Sequence, residues 1–461
     1  MVENRRGIGV VLGLVLVLTL LTACAGSSTS DTANGSAGTI RAKDPATTTT
    51  GKDPVTTTGN DSTTAPSDCA SPTGGVPWRE DETVTLDQIG SDNGHDIYAA
   101  EYPLPGPTDG LWTQWGQATV LEDGTQISAV GNHLGVGGNS WFFTYEPETR
   151  QLTRFGDVVT AAPDGSDDGS WGYGKVHAQM RVDRCGAVWA ATYWGTRRDL
   201  VYDDVYQGDR LLQIDPVSHT ILDHGAIAGQ RGMPTMAITG EGTTLVATSV
   251  DAESDTATFT VFDTVTGEVT HQVDDPEQAL FRALGIDPAD GNVLYATGGG
   301  HLGSLDPATG EFTDSGIEMP GAELRAITSI SSNGRVYGVT DEESAIFSFG
   351  ADHVVEHLGS ADGYTASLAM TPDGGRIFWL PDAHGGAWQS GAVVREMDTS
   401  TGEVREVASL KGPFDDSLGL LPGGTYSIVY DQGRLILGVN ASTLDDDSGF
   451  GTVVLVVIEG V

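Results

Sequence analysis

The sequence predicts an all-β fold assembled from a repeated four-strand unit, and three observations predict it. The composition supplies 63 Gly and 20 Pro among 461 residues, which suits tight turns rather than long helices. A glycine-bearing hairpin turn ahead of a short apolar strand recurs along the chain. A second turn, of the type Asp-x-x-Thr-Gly-Glu, follows it in most units.

The first turn occurs seven times: Gly124 before Ile127, Gly186 before Val188, Gly242 before Leu245, Gly291 before Val293, Gly334 before Val336, Gly374 before Ile377 and Gly433 before Leu435. Hairpin turns of this kind demand a positive φ, which explains the residue type. The second turn is clear at 263–268, 306–311 and 398–403 and degenerate at 146–149 and 215–219. The best-preserved unit runs from Leu324 to Leu358 as an apolar strand, a Gly turn, a second strand and two alternating strands. Four short strands joined by hairpins make one blade. Residues 67–461 are therefore expected to form a seven-bladed β-propeller of four-stranded blades.

The final unit ends in an apolar strand at 452–458 with no chain left for a fourth. Residues 83–89 are expected to supply it, closing the ring with the N-terminal segment and removing an open sheet edge. Surplus length in the longest units is assigned to loops at 195–207 and 412–424. The residues around Asp290-Gly291-Asn292-Val293-Leu294-Tyr295, Asp373-Gly374-Gly375-Arg376-Ile377-Phe378 and the turn at 306–311 resemble the superfamily of seven-bladed propellers that includes the YVTN and quinoprotein-like types. That resemblance implies the fold and leaves the function open, because propellers host enzymes and scaffolds alike. By resemblance it also admits redox chemistry with a quinone, for which no residues can be assigned; the cofactor is unknown.

Ahead of the propeller, Arg5 and Arg6 precede an apolar run and then small residues, so 1–23 are expected to be a signal peptide. Its end, Leu21-Thr22-Ala23-Cys24, resembles the bacterial lipobox. The resemblance implies that Cys24 becomes a lipidated N-terminus bearing diacylglycerol and palmitate-type chains, with the protein held at the cell membrane on the extracytoplasmic side. Residues 24–66 are dominated by Thr, Ser, Gly, Asp and Ala and carry no aromatic residue, so they are expected to form a disordered tether. Cys69 and Cys185 remain. In an exported chain they are expected to pair, since that compartment permits oxidation.

The charge narrows the partners. With 23 Lys+Arg against 64 Asp+Glu the net charge is −41, which excludes nucleic acid, whose recognition needs a basic surface. No GxSxG elbow, HExxH or P-loop is present, and no metal site is assigned. A monomer is expected, with a carbohydrate or protein as the ligand.

In a propeller the innermost strands line the axis, and their first residues share a face with the loops after the second strands. His177, Arg282, Arg325 and Thr365 fall near equivalent starts of innermost strands. Tyr193, Trp194, residues 298–301, residues 341–343 and His384 follow second strands. His177, His301 and His384 are the candidate acid–base groups, and Tyr193, Trp194, Arg282 and Arg325 the candidate ligand contacts. Together they would suit either a binding module or a lyase acting on an acidic polysaccharide or a lactone. The alternative is that such polar residues only solvate a channel. Trp112 and Trp115 suit stacking on a sugar as well as packing between blades.

Overall fold

The computed structural model describes Cys69 and residues 74–163, 172–193, 206–251, 257–274 and 280–461. These belong to the second of two compact units, Thr63–Val461. The lipidation residue Cys24, the candidate Trp194 and nearly all of the loop at 195–207 lie outside them.

Seven antiparallel sheets follow one another along the chain. Blade 1 comprises Thr119–Val120, Gln126–Gly131, Ser140–Glu146 and Gln151–Asp157. Blade 2 comprises Arg181–Val182, Val188–Ala191, Leu211–Asp215 and Thr220–Asp223. Blades 3 to 6 begin at Arg231–Ile238, Leu280–Ile286, Leu324–Ile327 and Ala369–Met370, each a four-stranded meander. Blade 7 contains Leu420–Asp431, Arg434–Thr443 and Thr452–Glu459.

All seven glycines of the hairpin turn have positive φ, from +67° at Gly242 to +88° at Gly124. A Cβ there would be strained, and this is why the repeat is legible. The Asp of the second turn caps its own loop: Asp263 Oδ1 accepts from the backbone N–H groups of Val265 and Thr266, and Asp398 Oδ1 from those of Ser400 and Thr401.

The N-terminal segment closes the ring, one hairpin later than the sequence suggests. His95–Glu101 pairs with Thr452–Glu459 as the fourth strand of blade 7, and Asp87–Asp92 lies outside it as a fifth. Glu82–Thr85 instead joins the outer edge of blade 1, and Val76–Pro77 that of blade 2. Three blades thus have five strands. The stretch expected at 83–89 straddles two blades, and Leu86 between its halves is buried in the cluster that joins blades 7 and 1. Arg154 fixes this arm through a two-pronged ion pair with Asp81, at 2.7 and 3.0 Å. Cys69 and Cys185 form a disulfide that pins the start of the arm to the first hairpin turn of blade 2. The loop expected at 412–424 is part helical turn, Lys411–Pro413, and part the start of Leu420–Asp431.

Burial explains why the ring holds. Seven apolar clusters each span one blade-to-blade junction, for example Phe378, Val394, Ile428 and Val456 between blades 6 and 7. An eighth, around Ala366, Ala383 and Tyr426 with Trp115 and Tyr364 against it, sits at one mouth of the axis.

Candidate functional site

Along each innermost segment, alternate side chains turn toward the axis. In blade 1 these are Trp115, Gln117 and Thr119; in blade 2 they are His177, Gln179 and Arg181. Ala118 and Ala178 between them are buried in the surrounding packing. The first residue of each series therefore reaches one mouth of the channel, and the last reaches the other.

Trp115 is the centre of the first mouth. Its ring stacks on His133 with centroids 5.2 Å apart and on Phe450 at 5.7 Å, and Tyr426 tilts against it at 4.6 Å. Lys175 Nζ lies 4.3 Å from the Trp115 ring centre and 5.2 Å from that of Tyr193. The Arg325 guanidinium sits 5.1 Å from the Tyr364 ring centre and 5.5 Å from that of Tyr426, and its Nε donates to the Tyr364 hydroxyl. Arg282 pairs with Glu323 at 3.4 Å. Cations held over aromatic faces are favourable, and more so where water is partly excluded.

The imidazoles are neutral at pH 7. His177 is buried, with Nδ1 2.7 Å from the Pro234 carbonyl oxygen. A carbonyl only accepts, so Nδ1 carries the proton and Nε2 keeps its lone pair. Burial holds this imidazole well below its ordinary value, and Lys175, Arg282 and Arg325 push in the same direction. The same causes lower His384, whose Nδ1 lies 2.6 Å from the Tyr426 hydroxyl. His133 falls to about 4 through burial, then Lys175 and His384. Burial raises the Glu323 carboxyl against the opposing pull of Arg282. The Tyr426 phenol is also raised by burial.

Of the residues singled out in the sequence, His177, Tyr193, Arg282, Arg325 and His384 come together here; the ring centres of His177 and Tyr193 are 5.1 Å apart. His301 does not join them. It opens the third strand of blade 4, with its Nδ1 3.3 Å from Asp314 on that blade's fourth strand. Thr365 is buried and donates to the Gly363 carbonyl, while its neighbour Tyr364 takes the axial position. Lys175, His133, Glu323, Tyr364, Tyr426 and Phe450 were not anticipated. His133 follows the second strand of blade 1 as Tyr193 follows that of blade 2, so the same positional rule would have found it. Lys175 is one of only four lysines in the chain, two residues ahead of His177. Among the described residues no group of three or more His, Cys, Asp or Glu is placed to hold a metal ion.

No protein-family model and no curated protein matches this chain. Solved structures do. Virginiamycin B lyase from Staphylococcus aureus aligns over 80% of this chain and 100% of its own, with 8% identity and a TM-score of 0.51. A streptogramin B lyase aligns over 79% and 98%, with 11% identity and a TM-score of 0.50. A catalytically inactive histidine-to-alanine variant of the Staphylococcus aureus enzyme with quinupristin aligns over 78% and 99%, with 10% identity and a TM-score of 0.51. At such identities the likeness is one of fold: this chain shares the β-propeller architecture of those lyases.

Proposed function

We propose that the Trp115 mouth binds an organic anion, a carboxylate carried on a sugar or other flat apolar body, in a protein anchored through lipid on Cys24 at the extracytoplasmic face of a membrane. The carrying observation is that Lys175, Arg282 and Arg325 act together on His177 and His384 at one point of a chain whose net charge is −41. A positive focus inside an acidic surface attracts an anion locally. The partly exposed Trp115 and Phe450 rings give its uncharged part an aromatic surface to pack against. The Cys69–Cys185 disulfide supports export to an oxidising compartment. Calorimetric titration of the purified protein with uronic-acid saccharides and lactones tests the site, with binding by the wild type and loss in Arg325→Ala as the expected result. Silence across acidic ligands would refute it. For the anchor, Cys24→Ser should move the protein from the membrane fraction to the soluble one.

A second reading is an elimination reaction at the same mouth, favoured by the neutral His177 with its Nε2 lone pair. That nitrogen would take a proton from the carbon next to the ligand's carboxylate or carbonyl. Arg325 and Arg282 would hold the resulting enolate, and the C–O bond beyond it would break to leave a C=C bond. The departing oxygen would take up the proton that His177 has just accepted, which returns the imidazole to its neutral form and leaves no proton unaccounted for. An unsaturated product appearing with wild type and absent with His177→Ala, while ligand still binds, would select this reading over simple capture.

A further inference from the structure

Toward the opposite mouth a chain of amides follows the inner wall across four neighbouring blades, from Leu368 to Arg181. Gln117 Nε2 donates to the Leu368 and Ile428 carbonyls at 3.1 and 2.8 Å, Gln179 Nε2 donates to Gln117 Oε1 at 2.8 Å, and Arg181 donates to Gln179 Oε1. The acceptors of both amides are thereby used, and the Arg181 guanidinium has further N–H donors to place. No carboxylate pairs with it among the described residues, in a chain with 64 Asp+Glu. The acidic side chain nearest in sequence, Asp183, lines the larger of two cavities beside Arg181 together with Glu241, but its oxygens are committed to the backbone N–H groups of Cys185 and Ala187 and to the Trp189 indole. Burial pulls the Arg181 pKa down to about 10, with no charged neighbour acting on it.

Arg181 lines two adjoining cavities of about 410 and 460 Å³, which share Thr119, Met180, Thr328, Ser329 and Ile330 with it. Hydroxyls therefore flank the cation, and apolar side chains such as Met370 and Val429 continue the wall. This volume and mixture are those of a small-molecule site.

We propose that this mouth is a second ligand site, separate from the Trp115 mouth, that takes a small carboxylate with an aliphatic tail: the carboxylate on Arg181 and the Ser329 hydroxyl, the tail against the apolar wall. An unpaired cation next to a cavity costs desolvation that an incoming carboxylate recovers, and a guanidinium matches a carboxylate in two-pronged geometry. A neutral ligand of the same shape recovers nothing of the kind.

The test is calorimetric titration of the purified full chain with octanoate and with octanamide. Wild type should bind octanoate at least about tenfold more tightly than octanamide, Arg181→Gln should lose that preference, and Arg325→Ala should keep it. No octanoate binding, or equal binding of acid and amide, overturns the proposal without recourse to any variant. Preference lost in Arg325→Ala and kept in Arg181→Gln overturns it too, and places the carboxylate at the Trp115 mouth instead.

Discussion

The two mouths of the channel are ends of the same inner segments, four residues apart in blade 2 from His177 to Arg181, or about 13 Å of extended chain. At the Trp115 mouth Lys175, Arg282 and Arg325 each lie against an aromatic ring or a carboxylate that stabilises the cation in place. Arg325 lies over two phenol rings, Arg282 meets Glu323, and Lys175 lies between Trp115 and Tyr193. At the other mouth Arg181 is met by an amide oxygen and by hydroxyl-lined space. A compensated cation adds to stability and lends its field to a ligand; an uncompensated one costs stability until a ligand arrives. The difference between the mouths is therefore measurable with and without ligand.

The largest effect expected comes from the side chain that organises the first mouth. Trp115→Ala removes the shared wall of His133, Tyr426 and Phe450, together with the indole donation to Thr113. A half-buried tryptophan of this kind should cost about 2–4 kcal/mol in chemical denaturation. Octanoate binding at the far mouth should persist in the folded variant, and its loss would mean that the two ends are one cooperative unit. Next in size is Arg325→Ala, which should weaken an organic anion at the Trp115 mouth by about 10- to 100-fold in calorimetry. The two mouths would prove coupled through Gln117 and Gln179 if octanoate affinity fell by the same factor.

pH separates the mouths further. At the first, lowered imidazoles mean that the unfolded chain binds protons before the folded one does. Their contribution to stability is complete above the ordinary imidazole value of 6.5, and it is lost as pH falls through their folded values, about 4 for His133. Within that window protonation of His133, His177 or His384 adds positive charge beside the ligand, and protonation of Glu323 removes a negative one. Affinity for a permanently charged sulfonate ligand should therefore rise at the Trp115 mouth as pH drops from 6.5 toward 4, and by reciprocity the ligand should raise the imidazole values seen by NMR. Arg181 does not titrate in this range. Buffers across the same interval should leave the apparent Arg181-site affinity flat, after correction for the ligand's own ionisation.

How much of this was legible depends on whether a residue's role is set by its own backbone. The seven turn glycines were legible because each needs a positive φ whatever surrounds it. Closure by 83–89 was misplaced by one hairpin because 82–85 and 95–101 are both short alternating segments, and only hydrogen bonding to different blades tells them apart. Leu86 fits the alternation and is buried either way, so hydrophobicity gave no warning. The first mouth was half visible, through His177, Arg282 and Arg325 at strand starts. Trp115, Tyr426 and Phe450 join them from blades far apart in sequence, a convergence that no local spacing records. Arg181 was missed for a different reason: nothing in Gln-Met-Arg-Val shows that no carboxylate will reach its guanidinium.

That absence yields the smallest prediction and the one most specific to the contrast. Arg181→Met removes a desolvated cation and keeps a flexible side chain of similar reach against Met180 and the amide chain. It forfeits one charge-assisted hydrogen bond to Gln179, worth about 1.5–3 kcal/mol, and abolishes a charge whose burial costs several kcal/mol when unpaired. The ligand-free variant should thus be more stable than wild type by about 1 kcal/mol in urea unfolding, a sign opposite to that of Trp115→Ala. Saturating octanoate should reverse the order, because only the wild type gains stability from the ligand by mass action. A ligand-free Arg181→Met less stable than wild type would show that the guanidinium holds the amide chain in place for structural reasons, and the two mouths would then differ in polarity but not in purpose.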